Sequence, residues 1–438
     1  MISSLVPVPK GTWIQNLPRP KQTYNRILCR LESTAAAAAA QTAENNTPSV
    51  AARVAILQQK PFLPATMTDN TQPAPAPATE QERLRQEFAK DKTHYTKHGR
   101  FTNPWASFTH PPISHFLKYA ASSGFSNAAT QSVKEGGRAP EVVELDRQAI
   151  DAPATLQATW LGHASLLVQL DGATILCDPV FSQRCSPSQL IGPKRYTQAP
   201  CSVRDLPHID ALVLSHNHYD HLDWHTLKEL SSRFPDIQAF APLGNQEILA
   251  SIGFKNISVA DWWDEFNVSF GGRSFTLACT PAQHMTARGL LDRMATLWSS
   301  WVFRGPSGCK FYFSGDTAYS AVYGNPDKAE CPVFKQIGQV YGPFDLAAIA
   351  IGAYSPEELF GGMHANPEQA VSIHQDIGSR KSIAIHWGTF VLTSEPIDEP
   401  PRRLRDAVAA AGLSPDSFSA LKIGQTTAAA PMPATAAL

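Results

Sequence analysis

Three histidines and two aspartates fall within the nine residues Ser215–Asp223, which read Ser-His-Asn-His-Tyr-Asp-His-Leu-Asp. Neutral imidazole nitrogen and carboxylate oxygen are the ligands that Zn²⁺ and similar cations prefer. His216 and His218 are two residues apart, so their side chains point the same way on an extended backbone. Asp220 and His221 are then free to reach a second cation. Four donors at this spacing predict a metal centre in preference to a polar loop with surface histidines.

Further ligands are expected at the ends of three later runs of β-branched and aromatic residues, each of which favours a strand. One His or Asp follows each run within a few residues: His284, Asp316 and His386. A single histidine in such a place is more often an ordinary core or loop residue. Three such sites behind a His-x-His-x-Asp-His segment instead predict that the ligands converge on one sheet edge, where loops leave room for a substrate.

We assign these ligands to two cations. One cation takes His216, His218 and His284, the other takes Asp220, His221 and His386, and Asp316 bridges both. Two cations about 3.5–4 Å apart can hold a shared water as hydroxide and offset the charge of a phosphoryl transition state. The sequence contains no Gly-x-Ser-x-Gly motif, which is consistent with hydroxide as the nucleophile.

Two residues are candidates for supporting the ligands rather than binding metal. Asp178 stands at the end of a strand-like run and before Pro179. Its carboxylate either accepts a hydrogen bond from a ligand imidazole or caps an ordinary turn. For His163, which follows Trp160-Leu161-Gly162, we favour a structural role or a supporting role behind the ligands.

The elements that must position these residues alternate between strands and helices. We predict strands at 155–161, 164–170 and 173–177 and helices at 224–233, 367–377 and 402–411. Asp171-Gly172 predicts a hairpin turn between the second and third strands. Asp223 is expected to cap the first helix, and Asn366, Pro367 and Gly378 frame the second. The pattern is typical of a mixed α/β sandwich.

Composition excludes some classes of protein. The chain has 438 residues, of which 43% are hydrophobic, enough for a large core, and its formal net charge of −1 argues against a general nucleic-acid binder. Its seven cysteines include no Cys-x-x-Cys pair, so we predict reduced thiols in an intracellular protein. The sequence contains no run of eighteen apolar residues, which predicts that the chain does not span a membrane.

The two ends of the chain differ from the middle. Residues 1–31 contain five basic residues and no acidic one, which is compatible with a mitochondrial presequence or with a basic disordered tail. An alanine- and proline-rich stretch then predicts disorder across 1–79. Thr79 with Glu82 predicts a capping box where order begins. We expect residues 80–150 to form an extension that packs on a catalytic domain at 151–425, followed by a disordered tail at 426–438.

The ligand set resembles that of the metallo-β-lactamase superfamily. The surrounding segments resemble one of its families, the N-acyl-phosphatidylethanolamine-hydrolysing phospholipase D. The resemblance covers about residues 95–425. The matching segments are 99–101, 103–105, 160–164, 186–189, 192–195, 215–223, 261–263, 342–349, 351–354 and 384–390. It implies an α/β fold, a four-layer αββα sandwich.

The resemblance also implies a reaction. N-acyl-phosphatidylethanolamine would be hydrolysed to N-acylethanolamine and phosphatidate by hydroxide bridging two Zn²⁺ ions. Asp220, Asp316 and His364 would be catalytic, and Tyr219 and His364 would contact the lipid. Asn366 replaces an Asp of the family's motif after His364. The family further implies a peripheral membrane enzyme and a possible homodimer.

Other functions are compatible with the same ligands. Another hydrolase of this superfamily, such as a lactonase or a nuclease, would use a similar centre, and a metal-binding scaffold would need no turnover. A nuclease predicts a basic face or an added nucleic-acid domain, and neither is evident in the sequence. Phe101, Trp105 and Phe108, beside Arg100, predict either a membrane-docking surface or a strap packed across the sandwich, which we favour for Trp105.

Overall fold

Two mixed β-sheets flanked by helices form the architecture of the chain. The computed structural model describes residues 79–429 except 110, 113, 116–117, 120–135, 290 and 322–328. These residues all belong to one unit, Ala76–Leu438. The predicted targeting segment, the predicted disordered region up to residue 78 and the tail beyond residue 429 lie outside the described residues.

The first sheet has seven strands within the described residues. They are β1 (Leu156–Gly162), β2 (Ser165–Leu170), β3 (Ala173–Cys177), β4 (Ala211–Val213), β5 (Gln238–Pro242), β6 (Asn256–Ala260) and β14 (Thr426–Ala429). Their order is β14-β1-β2-β3-β4-β5-β6. Neighbours from β14 to β3 are antiparallel, and neighbours from β3 to β6 are parallel.

The second sheet repeats this arrangement with seven described strands. They are β7 (Glu265–Phe270), β8 (Arg273–Thr280), β9 (Ser300–Arg304), β10 (Lys310–Phe313), β11 (Leu346–Ala350), β12 (Ser382–Ile385) and β13 (Phe418–Ser419). Their order is β13-β12-β11-β10-β9-β8-β7. Neighbours from β7 to β10 are antiparallel and neighbours from β10 to β13 are parallel. Strands β8, β10 and β12 therefore run in the same direction and end at the same edge.

Helices cover the outer faces of both sheets. They are α1 (Glu80–Phe88), α2 (Arg147–Asp151), α3 (Trp224–Arg233), α4 (Gln246–Ile252), α5 (Val333–Tyr341), α6 (Glu357–Phe360), α7 (Pro367–Asp376) and α8 (Glu399–Ala410). Leucines of α3 and α4 share a buried cluster with the outer side chains of β2, β3 and β4. Apolar residues of α5, α7 and α8 pack with the second sheet. This is the predicted αββα sandwich. No helix of the described part has the length and apolarity that a membrane crossing requires.

Buried aromatic residues join the two sheets. The indole of Trp160, from β1, stacks on that of Trp387, which lies two residues beyond β12, with ring centroids 5.5 Å apart. Trp301, from β9, donates a hydrogen bond of 2.9 Å from Nε1 to the carbonyl oxygen of Leu214, just beyond β4. The sheets therefore pack against each other at the ends of the strands that precede the predicted ligands.

Most predicted elements lie where their local signals placed them. Strand β3 and helix α3 have the predicted limits. Asp223 caps α3 by accepting from the backbone N–H of His225, and Asn366 caps α7. Helix α8 begins at Glu399 and not at Arg402 as predicted. The reason is that proline is tolerated in the first turn of a helix, where its missing N–H would have no partner.

The predicted disordered tail is wrong for residues 426–429. They form β14, which pairs antiparallel with β1 from Leu156 to Thr159. The hydroxyls of Thr159 and Thr426 lie 2.7 Å apart, within hydrogen-bond distance. Threonine and alanine give this strand little apolar surface to bury, so its order depends on backbone hydrogen bonds to an existing sheet edge. Local composition does not predict such pairing.

Residues 100–108, which precede β1 in the sequence, form a strap across the core. Phe101 is buried, and Trp105 and Phe108 pack against the main core cluster. The Trp105 ring stacks on that of Trp262, with centroids 5.3 Å apart and planes 18° apart. The strap alternative therefore describes these three aromatic residues, and the membrane-docking alternative does not.

Replacing Trp105 tests the strap. Trp105→Ala should lower the free energy of unfolding by about 2 kcal/mol, because a partly buried indole loses packing and stacking. Urea unfolding followed by tryptophan fluorescence measures this loss, and Trp105→Phe should recover part of it. Unchanged stability together with weaker binding to lipid vesicles would contradict the strap.

Candidate metal centre

Four segments carry the predicted ligands to one edge of the sandwich. Residues 216–221 follow β4, His284 follows β8, Asp316 follows β10 and His386 directly follows β12. Because β8, β10 and β12 run in the same direction, their carboxyl ends supply the last three ligands side by side. The structure thus brings together all seven residues to which we assigned metal binding. Their role as ligands remains a prediction.

The first group of donors surrounds His218. Its Nδ1 atom lies 2.9 Å from His216 Nε2 and 3.3 Å from His284 Nε2. Asp316 Oδ2 completes the group, 3.9 Å from His216 Nε2 and 3.7 Å from His284 Nε2. One donor atom from each of these four residues lies within 4.8 Å of all the others. This is the first predicted ligand set together with the bridging carboxylate.

The second group shares Asp316 with the first. Asp220 Oδ2 lies 3.6 Å from His221 Nε2 and 3.5 Å from His386 Nε2. Asp316 Oδ2 is 3.2 Å from His221 Nε2, and its Oδ1 is 3.1 Å from His386 Nε2. The carboxylate of Asp316 therefore faces donors of both groups, which is the position that a bridging ligand requires.

Three of the donor atoms have no hydrogen-bond partner within the described part of the chain. Among the described residues, His221 Nε2, His386 Nε2 and Asp316 Oδ1 are buried and make no hydrogen bond of acceptable geometry. Burying unpaired polar atoms costs free energy, and a divalent cation would satisfy several of them at once. The nitrogen and oxygen donors also match the preferences of Zn²⁺. The residues present therefore fit metal ions.

Burial and neighbouring charges shift the pKa values of the residues at the centre. Burial lowers the pKa of His216 and His284 well below the usual range. Burial also opposes ionisation of Asp316, but the positive charge of the protonated His221 and His386 rings outweighs it and holds the carboxyl pKa well below its usual value. The same pairing raises the pKa of both rings, so a bound cation would replace their protons. A neutral imidazole and an ionised carboxylate are the forms that bind metal.

Groups behind the ligands fix their orientation. Asp178 Oδ2 accepts a 2.6 Å hydrogen bond from His221 Nδ1, and Asp178 also accepts from the backbone N–H of Ser215. The backbone carbonyl of Met363 accepts from His284 Nδ1 at 2.8 Å. Such contacts hold each ring with its Nε2 atom toward the centre. The contact with His221 favours the supporting role for Asp178 over the turn cap.

His163 also contacts the centre from behind. Its Nε2 donates to Asp220 Oδ2 at 2.9 Å, and its ring centroid lies 4.0 Å from that of His386. Burial lowers the pKa of His163 to about 3, so the ring is neutral near neutral pH. The geometry supports the role behind the ligands that the sequence suggested, because the same Asp220 oxygen faces His221 and His386.

Sequence reasoning gave no role to Asn103, which holds a ligand in place. Asn103 Nδ2 donates to the carbonyl oxygen of His284 at 2.7 Å, and its Oδ1 accepts from the His284 N–H at 3.2 Å. In the same strap, Ser107 Oγ donates to Gln283 Oε1 at 2.5 Å. The partners are more than 170 residues apart in sequence, and no local signal indicated these contacts.

The two predicted substrate contacts lie beside the centre. His364 Nδ1 is 3.8 Å from Asp316 Oδ2, and burial lowers the pKa of His364 to about 4. Tyr219 donates its hydroxyl hydrogen to the carbonyl oxygen of Arg288 at 3.0 Å, and the Arg288 guanidinium lies 3.9 Å above its ring. Tyr219 and Arg288 line a cavity of about 350 Å³ together with Ser186, Pro187, Asp223, Trp224 and His225.

Known proteins resemble this chain in sequence and in fold. The profile described as Beta-lactamase superfamily domain matches residues 173–387. The chain is 36% identical to N-acyl-phosphatidylethanolamine-hydrolyzing phospholipase D 1 of Caenorhabditis elegans, over 78% of this chain and 94% of that protein. It is 32% identical to the mitochondrial N-acyl-phosphatidylethanolamine-hydrolyzing phospholipase D of Saccharomyces cerevisiae, over 56% of this chain and 50% of that protein. Among solved structures, an isothiocyanate hydrolase from Delia radicum gut bacteria is 22% identical, with a TM-score of 0.47, over 62% of this chain and 98% of that one.

Replacing Asp178 tests its supporting role. Asp178→Asn places an amide beside His221 Nδ1, and we expect metal affinity to fall by about 10- to 100-fold. Competition with a zinc-chelating dye measures the affinity. Asp171→Asn, in the turn between β2 and β3, is the matched control and should bind metal as the wild type does. Equal affinity in both variants would leave Asp178 as a turn residue only.

Replacing Asp316 tests the bridge. Asp316→Asn keeps the shape of the side chain but removes the charge that two cations would share, so we expect one bound metal ion per chain where the wild type binds two. Elemental analysis of dialysed protein counts the ions. Two retained ions together with full hydrolytic activity would contradict the bridging role.

Proposed function

Because this chain belongs to the N-acyl-phosphatidylethanolamine-hydrolysing phospholipase D family of the metallo-β-lactamase superfamily, we propose that it hydrolyses N-acyl-phosphatidylethanolamine to an N-acylethanolamine and phosphatidate. One observation carries the proposal. The carboxylate of Asp316 lies between two groups of His and Asp donors, in a chain that aligns with 94% of a relative named for this reaction.

The proposed reaction is hydrolysis at phosphorus. Water supplies a hydroxyl group that forms a new bond to phosphorus, while the bond from phosphorus to the ethanolamine oxygen breaks. The remaining proton goes to that oxygen, so the products are phosphatidate and the free alcohol. When bound, two Zn²⁺ ions would make water reactive as hydroxide near neutral pH and would offset charge on the phosphoryl group.

Each of the predicted catalytic and substrate-binding residues has a part in the proposal. Asp220 contacts His221 and His386 of the second donor group, and Asp316 contacts the same two rings as well as His216 and His284 of the first group. His364 is neutral because burial lowers its pKa to about 4. It would therefore contact the phosphoryl group or the leaving oxygen as an uncharged imidazole. Tyr219 would contact the lipid from the cavity that it shares with Arg288.

We also propose where in the cell the enzyme acts. A phospholipid substrate requires access to a membrane surface, so the enzyme would act as a peripheral membrane protein. The basic residues of segment 1–31 and the word mitochondrial in the name of the yeast relative support mitochondrial targeting. We also retain the homodimer that the family resemblance implies as a proposal.

An isotope experiment tests the reaction. Zinc-loaded full-length protein is incubated with detergent-dispersed N-acyl-phosphatidylethanolamine in water enriched in ¹⁸O, and mass spectrometry follows the products. We expect N-acylethanolamine without label and phosphatidate with one ¹⁸O atom in its phosphate group. A chelator should stop turnover, and Asp316→Asn is the matched inactive variant.

Three outcomes would overturn the proposal. Release of diacylglycerol would show cleavage on the other side of phosphorus. Label in the alcohol would show attack at carbon. Metal-dependent turnover of a lactone or a nucleic acid without turnover of the lipid would assign the centre to another hydrolase of this superfamily.

A further inference from the structure

Three aliphatic side chains project into solvent at the tips of two loops. Leu190 is 86% exposed, Ile191 is 70% exposed and Leu291 is 86% exposed. Burying such surface away from water lowers the free energy of the system, so large exposed aliphatic side chains favour contact with a partner. We call residues 184–194 the first mouth loop and residues 286–289 and 291–293 the second mouth loop.

Both mouth loops line one cavity beside the segment 216–221, and Arg288 of the second loop donates a hydrogen bond of 2.7 Å to the carbonyl oxygen of Asn217 in that segment. Ser186 and Pro187 of the first loop and Arg288 of the second line the cavity of about 350 Å³. Tyr219, also in its lining, lies between the predicted ligands His218 and Asp220 in sequence. Trp224 lines the same cavity and is 40% exposed. The exposed leucines and isoleucine therefore belong to loops that flank one side of the metal centre.

The first mouth loop holds its apolar tip in place. Gln189 Nε2 donates to the Arg184 carbonyl oxygen at 2.9 Å, and Gln189 Oε1 accepts from the Arg184 N–H at 3.0 Å. Arg184 Nε also donates to the Gln189 carbonyl oxygen at 3.2 Å. These bonds close the base of the loop immediately before Leu190 and Ile191, so the two side chains are presented by an ordered turn.

The second mouth loop is closed in a similar way. Asp292 Oδ1 accepts from the N–H of Gly289 at 2.7 Å, and its Oδ2 accepts from the N–H of Arg288 at 3.0 Å. Arg100, from the strap, donates to the Leu291 carbonyl oxygen at 2.7 Å. Backbone that such hydrogen bonds already hold has less conformational entropy to lose on binding, which favours association.

The charge around these tips is positive. The mouth loops contain Arg184, Lys194, Arg288 and Arg293 against one acidic residue, Asp292, in a chain whose net charge is −1. Lys194, Arg293 and Arg100 are exposed. N-acylation removes the amine charge of phosphatidylethanolamine, so the proposed substrate presents a net negative headgroup. Aliphatic side chains between cations suit insertion into an anionic lipid surface.

We propose that Leu190, Ile191 and Leu291 insert into the surface of an anionic phospholipid membrane and hold the metal centre over its lipids. The occupant of this surface is an anionic membrane because its exposed aliphatic side chains project from loops that carry four basic residues against one acidic residue. This inference rests on the proposed function for the reason why the enzyme meets a membrane. Its test does not depend on turnover.

Vesicle binding tests the docking surface. Wild-type protein and the variant Leu190→Ser, Ile191→Ser, Leu291→Ser are sedimented with vesicles of phosphatidylcholine and phosphatidylglycerol, which contain no substrate. We expect the variant to bind at least about tenfold more weakly, because burial of three aliphatic side chains is lost. Val142→Ser, at an exposed apolar residue in neither mouth loop, is the matched control and should bind as the wild type does.

Several results would overturn the docking surface. Wild-type protein that does not sediment with the vesicles, or a triple variant that binds them equally well, would do so. If the variant loses self-association in analytical ultracentrifugation but keeps vesicle binding, the surface contacts a second copy instead. Leu291→Ser alone guards against misfolding of the first loop and should also weaken binding. Wild-type turnover of detergent-dispersed substrate reports on the proposed function separately.

Discussion

The buried carboxylate of Asp316 is the group on which the centre depends. It is 2% exposed, and both of its oxygens face imidazole nitrogens at 3.1–3.2 Å. Removing such a carboxylate from water is costly unless positive charge compensates it. The compensation must come from cations or protonated rings, because the surrounding space is filled by histidines and aspartates. The loops at this sheet edge bring the compensating groups to Asp316.

The direction of the strands in the sandwich brings these loops together. Two sheets of the same antiparallel-then-parallel pattern place β4 of one sheet and β8, β10 and β12 of the other so that the segments after them meet. The indole of Trp301 donates to the carbonyl of Leu214, which joins the second sheet to the segment that carries the His-x-His-x-Asp-His motif. Rigid strands thus set the position of loops that supply the chemistry.

The predictable part of this molecule is the part encoded locally. The ligand motif, the β3 hairpin and the caps Asp223 and Asn366 each depend on residues a few positions apart, and the structure has them in place. The shared direction of β8, β10 and β12 explains why the other predicted ligands lie close together, since residues just after parallel strands lie at the same sheet edge. The sandwich itself was expected from resemblance and from the alternation of elements.

The parts that sequence reasoning missed depend on partners distant in sequence. Strand β14 exists because β1 offers an unpaired edge, and its own composition indicated a disordered tail. Asn103 is an ordinary polar residue until the fold places it against the backbone of His284. The pairing of Tyr219 with Arg288 depends on two loops meeting, which spacing along the chain does not encode.

The hold of Asn103 on His284 has a consequence for how this protein can be divided. Residues 80–150 read as an accessory extension, and the chemistry begins beyond them. Yet the backbone of His284, a predicted ligand, is hydrogen-bonded to Asn103 in that extension, so cutting the chain near residue 150 would leave the two on separate pieces of chain. Residues 103 and 107 of the extension therefore belong to the support of the predicted metal centre. The boundary near residue 150 that the sequence suggests therefore does not separate the residues that support the predicted metal centre.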